Sequence, residues 1–233
     1  MRVDIWSDVV CPWCYIGKRR FEAALARFEH RDDVEVSWHS FELDPAAPPL
    51  HEEGTAEHLA GKYGVSLEQA RTMQQRMAAA AAAEGLDFHF ERARSGNTFD
   101  AHRLLHLAAD RGVQDAVKER LLAGYFTEGE PVGDHEALLR LGAAAGLDPT
   151  EARRMLESDG YAAEARADER RAAALGITGV PFFVIDDTYG VSGAQPADLL
   201  LEALRTAWAE RSPLVRLGAA AAGEECADGS CAT

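Results

Sequence analysis

Two cysteines separated by two residues, Cys11-Pro12-Trp13-Cys14, are the side chains of this sequence best suited to do chemistry, because they place two thiols one helical turn apart. Such a pair exchanges electrons with other thiols, closes a structural disulfide or supplies half of a zinc site, and spacing alone leaves all three open. Cys226 and Cys231 form a second pair, Cys-x4-Cys, across Asp228-Gly229-Ser230, a sequence suited to a turn. They are expected to act as an auxiliary redox pair that exchanges with Cys11, with a passive disulfide or two unpaired thiols as the plainer alternative.

The first pair sits where one periodicity gives way to another. Val3-Asp4-Ile5-Trp6 alternates as a strand does, whereas Phe21, Leu25 and Phe28 recur three and four residues apart as on an amphipathic helix. Pro12 suits the first helical position, which puts Cys11 at the N-cap. Free backbone N–H groups and the helix dipole favour a thiolate there. Cys14 lies one turn deeper and is expected to be buried. Position therefore predicts that Cys11 attacks and Cys14 resolves the mixed disulfide. Trp13 carries no charge to stabilise a thiolate, so the pair is expected to be less oxidising than one with an intervening histidine. Trp13 is read either as a substrate-facing aromatic or as a packed side chain. Far downstream, Gly179-Val180-Pro181-Phe182-Phe183-Val184-Ile185 reads as a buried strand opened by a proline. A cis Val180-Pro181 bond and an ordinary trans one are both compatible with that reading.

Four ordered blocks carry a family resemblance. They are Ser7-Asp8-Val9-Val10-Cys11-Pro12-Trp13-Cys14-Tyr15-Ile16-Gly17-Lys18, Phe41-Glu42-Leu43-Asp44-Pro45, Asn97-Thr98-Phe99-Asp100-Ala101-His102-Arg103-Leu104 and Gly176-Ile177-Thr178-Gly179-Val180-Pro181-Phe182-Phe183. Over residues 1 to about 210 the chain resembles the DsbA-like thioredoxin-fold oxidoreductases of the FrnE type. The resemblance implies an α/β thioredoxin-like fold with an inserted all-helical domain, Cys11 as nucleophile, Cys14 as resolver and Pro181 as a cis-proline facing them. It also implies that the Val180 backbone pairs with an extended substrate segment. The expected division is residues 1–49 and 174–212 for the thioredoxin-like domain, 50–173 for the helical insertion and 213–233 for a flexible tail.

With 233 residues, 47% of them hydrophobic, the chain can build a large core without disulfide staples. A formal charge of −15, from 24 basic and 39 acidic residues, argues against nucleic acid and anionic membranes as partners. No apolar run approaches the roughly 20 residues of a membrane-spanning helix. The first strand begins almost at Met1, which leaves no room for a leader, so a cytoplasmic location is expected. There thiols are kept reduced, and four cysteines point to redox or metal chemistry rather than stable cross-links.

Elsewhere helices dominate. Val34, Val36 and Trp38 predict a second strand. Ser66-Leu67-Glu68-Gln69 predicts a capping box, Asp134 and Asp148 open further helices, and Gly85 and Gly146 close two. Asp186-Asp187 joins two hairpin strands, and Leu200, Leu204 and Trp208 mark a closing helix. Asn97 is expected to cap its helix, Met73 and Met77 to fill core space, His39 and His102 to be structural, and Asp8, Lys18 and Arg19 to be solvated.

These residues predict a thiol-disulfide oxidoreductase acting on protein or peptide thiols and disulfides, with glutathione or another small thiol as a further partner and no cofactor beyond the redox-active disulfide. One alternative is a glutathione-dependent small-molecule isomerase of the same fold, although those related enzymes usually carry Ser at the first cysteine position. Another is a zinc-binding interaction module built on Cys11, Cys14, Cys226 and Cys231.

Overall fold

A computed structural model describes residues 1–211. The chain opens with strand β1 (Arg2–Ser7), helix α1 (Pro12–Ala26) and strand β2 (Glu35–Ser40), and closes with β3 (Phe182–Ile185), β4 (Tyr189–Ser192) and α9 (Ala197–Ala209). Between β2 and β3 lie α2 (Thr55–Tyr63), α3 (Leu67–Ala82), α4 (Phe99–Asp110), α5 (Gln114–Ala123), α6 (His135–Ala144), α7 (Pro149–Leu156) and α8 (Ala162–Ala174). This is the α/β thioredoxin-like fold interrupted by a helical insertion.

The sheet order is β2-β1-β3-β4, with β1 parallel to β2 and antiparallel to β3. Trp6, near the end of β1, pairs with Phe182, the first residue of β3. That register brings the loop after β1, which carries the cysteines, to the same sheet end as Val180 and Pro181. Asp186 and Asp187 turn the β3–β4 hairpin with φ of 47° and 53°, a left-handed conformation that Asp tolerates better than most residues.

Two hydrophobic cores meet at α1. Phe21, Ala24 and Phe28 pack with Ile5, Trp38, Phe183, Leu200 and Leu204 beneath the sheet. Tyr15 and Ile16, at its N-terminal end, instead join Leu104, Leu121, Phe126 and Leu138 of the insertion. The cysteine turn therefore lies at the seam between the two parts of the molecule.

Helix ends follow their cap residues. Ser66 and Gln69 form the reciprocal capping box of α3, while Asp134 and Asp148 accept from the Ala137 and Glu151 amides at the starts of α6 and α7. The cap of α4 is shifted by one residue from expectation. Thr98 is its N-cap, and the Asn97 side chain instead accepts from the Phe99 amide at 2.9 Å. Met73 and Met77 are half-buried and absent from the core, because α3 buries only Ala70 and Ala81. No helix among the described residues is long and apolar enough to cross a membrane.

Candidate active site

Cys11 is the N-cap of α1, in extended backbone (φ −90°, ψ 111°), and Pro12 begins the helix. The Cys11 thiol, only 4% exposed, donates to the Val180 carbonyl at 3.6 Å. The Val180-Pro181 bond is cis, and Pro181 is buried against α1. Trp13 lies in the first turn of α1 and is 43% exposed.

Cys14 is completely buried, and both residues are free thiols. Burial first, then the neighbouring Cys11, pushes the Cys14 thiol well above its ordinary pKa, while Lys118 pulls it down. A slightly exposed Cys11 at the helix N-cap and a fully enclosed Cys14 one turn on suit an attacking and a resolving thiol, respectively.

Asp8 ties three of the four blocks of the sequence together. It is buried, accepts from the amides of Val9 at 2.7 Å and Leu43 at 2.8 Å, and lies 3.4 Å from His102 Nε2 without hydrogen-bond alignment. Burial raises its carboxyl pKa, but His102, the Leu43 amide and Lys118 outweigh that effect and hold it below the ordinary value. The expectation of a solvated Asp8 is thereby corrected. A lone aspartate after a strand is normally exposed, but here α4 and α5 fold over it.

Lys118, on α5, is the functional candidate that the sequence reading missed. Its ammonium is buried, has no hydrogen-bond partner among the described residues, and lies 5.5 Å from the centre of the Trp38 ring. Burial lowers its pKa to about 8, against the opposing pull of Cys14, Asp8 and Cys11. A signal was present. Lys118 falls in the apolar stripe of Val117, Leu121 and Leu122, where a lysine is out of place.

The other histidine of interest is structural. His39 bridges Asp168 at 2.7 Å and Asp4 at 2.6 Å, and stacks on Trp6. Burial opposes its charge, yet the two carboxylates raise its pKa to about 9. Lys18 is buried rather than solvated, because Glu22, Asp115 and Glu119 close around it. Arg19 is half-buried beside Glu119, paired with it across the seam between α1 and α5.

Among the described residues, one group of His, Cys, Asp or Glu side chains is arranged to share a metal ion. It is His51, Glu53 and His58, and it includes neither Cys11 nor Cys14. Cys226 and Cys231, the expected auxiliary pair and half of the four-cysteine zinc site, lie outside the described residues.

A model of the DSBA-like thioredoxin domain matches residues 2–205. The uncharacterised protein YwbO of Bacillus subtilis is 27% identical over 206 residues, covering 88% of this chain and 96% of that one. Among solved structures, a probable DsbA oxidoreductase from Streptomyces coelicolor is 51% identical and covers 97% of both chains, with a TM-score of 0.88. The cytosolic disulfide reductase DsbM from Pseudomonas aeruginosa, solved with GSH, shares the fold at 18% identity and a TM-score of 0.63, covering 90% of this chain and all of that one (100%).

Proposed function

Because the chain belongs to the DSBA-like thioredoxin domain family, we propose that it is a thiol-disulfide oxidoreductase of protein or peptide substrates, of the FrnE type, working through Cys11 and Cys14. The observation that carries this reading is the Cys11 sulfur at the start of α1, 3.6 Å from the Val180 carbonyl and above a concealed Cys14.

In the reducing direction the Cys11 thiolate attacks a substrate disulfide. A Cys11–substrate bond forms and the first substrate sulfur leaves as a thiolate. Cys14 then attacks Cys11, the Cys11–Cys14 disulfide forms, and the second substrate sulfur departs. Two cysteine thiols are oxidised as one substrate disulfide is reduced. Val180 offers backbone groups to an extended segment beside Cys11, and the exposed Trp13 ring offers an apolar rest for it. Two molecules of a small thiol such as glutathione would restore the dithiol, the first forming a mixed disulfide that the second attacks, and the pair leaving as their own disulfide. This chemistry fits a cytoplasmic protein.

Insulin reduction by the parent, Cys11→Ser and Cys14→Ser tests the assignment. The expected result is activity in the parent alone, with a mixed disulfide captured by Cys14→Ser. An inactive parent, or capture by Cys11→Ser instead, overturns it.

A further inference from the structure

Helix α2 is poorly held by the usual means. It is nine residues long, buries no side chain, and starts from Gly54, which has no side chain to cap it. A helix this short is marginal without packing or a cap. Two hydrogen bonds tie its first residue down: the Thr55 hydroxyl donates to the Phe90 carbonyl at 2.8 Å and accepts from the Gln74 side chain at 2.9 Å.

The residue before a helix N-cap and the fourth residue of the helix face each other, and in many proteins an apolar pair there staples the entering chain to the first turn. Here those positions hold Glu53 and His58, with Glu53 Oε1 3.1 Å from His58 Nδ1. His51 completes the group. Its ring centre lies 4.3 Å from that of His58, tilted by 50°. The three side chains each offer one ligand atom, and these atoms lie within 4.8 Å of one another. An exposed carboxylate–imidazole pair alone would stabilise the helix little, and it gives the second imidazole no reason to converge on the same point.

The loop that carries His51 is fixed in advance. The His51 amide donates to the Ser95 carbonyl and the Asn97 amide to the Pro48 carbonyl, both at 2.8 Å. Gly96 and Gly133 both press against the Pro49 carbonyl, where a Cβ on either would collide. Ligands around a tetrahedral zinc ion, at about 2.0–2.2 Å from the metal, stand roughly 3.3–3.6 Å from one another, so small side-chain rotations close the set. Two imidazoles and a carboxylate suit zinc and its transition-metal neighbours, whereas magnesium and calcium favour oxygen throughout. Glu53 is exposed and both histidines are partly so, which leaves the fourth position to water.

We infer that His51, Glu53 and His58 bind one divalent transition-metal ion, zinc foremost, and that the ion serves as the staple at the start of α2. The site shares no residue with the thiol pair, so it stands or falls separately from the exchange reading.

The test is titration of the full chain with Zn²⁺, and with Co²⁺ as a spectroscopic probe, in the parent and in a chain with all four cysteines replaced by Ser. One site is expected to persist in the cysteine-free chain and to show no thiolate-to-cobalt band there. His51→Ala and His58→Ala should each abolish it, Glu53→Gln should weaken it, and Mg²⁺ in excess should not compete. Amide hydrogen exchange in the parent provides a readout that needs no variant. At a Zn²⁺ concentration 100 times the dissociation constant, exchange across residues 55–63 should slow about 100-fold, because opening of α2 then requires loss of the ion. No binding, binding that disappears with the cysteines, or binding that survives both histidine substitutions would overturn the site. Zinc protection confined to the Cys11–Cys14 turn, with α2 exchanging as before, would overturn the staple.

Discussion

A Cβ atom built on Gly17 would lie 2.9 Å from Cγ of Pro181, so α1 and the proline loop touch at a point with no room for a methyl group. The contact fixes the distance between the helix that carries the thiols and the loop that offers Val180. Gly17→Ala should strengthen the helix locally, by up to about 1 kcal/mol of intrinsic propensity, and still impair the site. Turnover in insulin reduction is expected to fall about 10-fold, because small displacements of reacting groups are expensive. Unchanged turnover would show that the loop yields freely.

The two thiols should differ sharply toward a small alkylating reagent. Cys11 keeps 4% of its surface exposed at the helix N-cap, whereas Cys14 is fully buried and its thiol is held protonated by that burial. Peptide mapping after brief iodoacetamide treatment at pH 7 is expected to find Cys11 carboxamidomethylated and Cys14 unmodified until the protein is denatured. Equal labelling would contradict the proposed division of roles.

His39 should make stability depend on pH in a defined window. Its folded pKa, about 9, stands above the ordinary 6.5. Its contribution is therefore fully present below about pH 6.5 and is lost as pH rises through 9. The shift corresponds to about 3 kcal/mol shared with Asp4 and Asp168. Denaturant unfolding of the parent and His39→Gln at pH 6 and pH 9.5 should show the difference between them shrinking at the higher pH. A gap of constant size would remove the charge from the explanation.

Lys118 carries the opposite sign. Its folded pKa is depressed to about 8 from 10.5, so the unfolded chain holds more protons between those values. The penalty for its charge is present in full below pH 8 and fades as pH rises toward 10.5. Lys118→Met is accordingly expected to be more stable than the parent at pH 7, by an amount on the order of 3 kcal/mol before any packing cost. That advantage should narrow by pH 10. A less stable Lys118→Met at pH 7 would mean that the lysine has a structural partner.

The local chemistry of the thiol turn was legible in the sequence because it depends on neighbours along the chain. The change of period at Cys11, Pro12 at the first helical position and the caps at Ser66, Asp134 and Asp148 all belong to that class. Asp8, Lys18, Met73 and Met77 were misread because their environment is set by helices far away in sequence. Asp8 and Lys18 are enclosed by α4 and α5, while the methionine face of α3 is left only partly covered. Periodicity reports which face of a helix is apolar. It does not report which distant charge that face will cover, and Lys118 is enclosed beside Trp38 only when the insertion folds back on β2.

The seam at α1 sets a limit on modularity. Thioredoxin-like domains invite the view that an inserted module can be exchanged, as a handle on a tool. Here the borrowed segment carries His102 and Lys118 into the interior, and Asp8 answers to both. A chimera that grafts a foreign helical module between β2 and β3 would keep the Cys-Pro-Trp-Cys turn and the proline loop intact while removing two basic groups that hold the Asp8 carboxyl below its ordinary value. Such a hybrid would inherit the fold of the host but an Asp8 carboxyl whose ionisation is set by the donor.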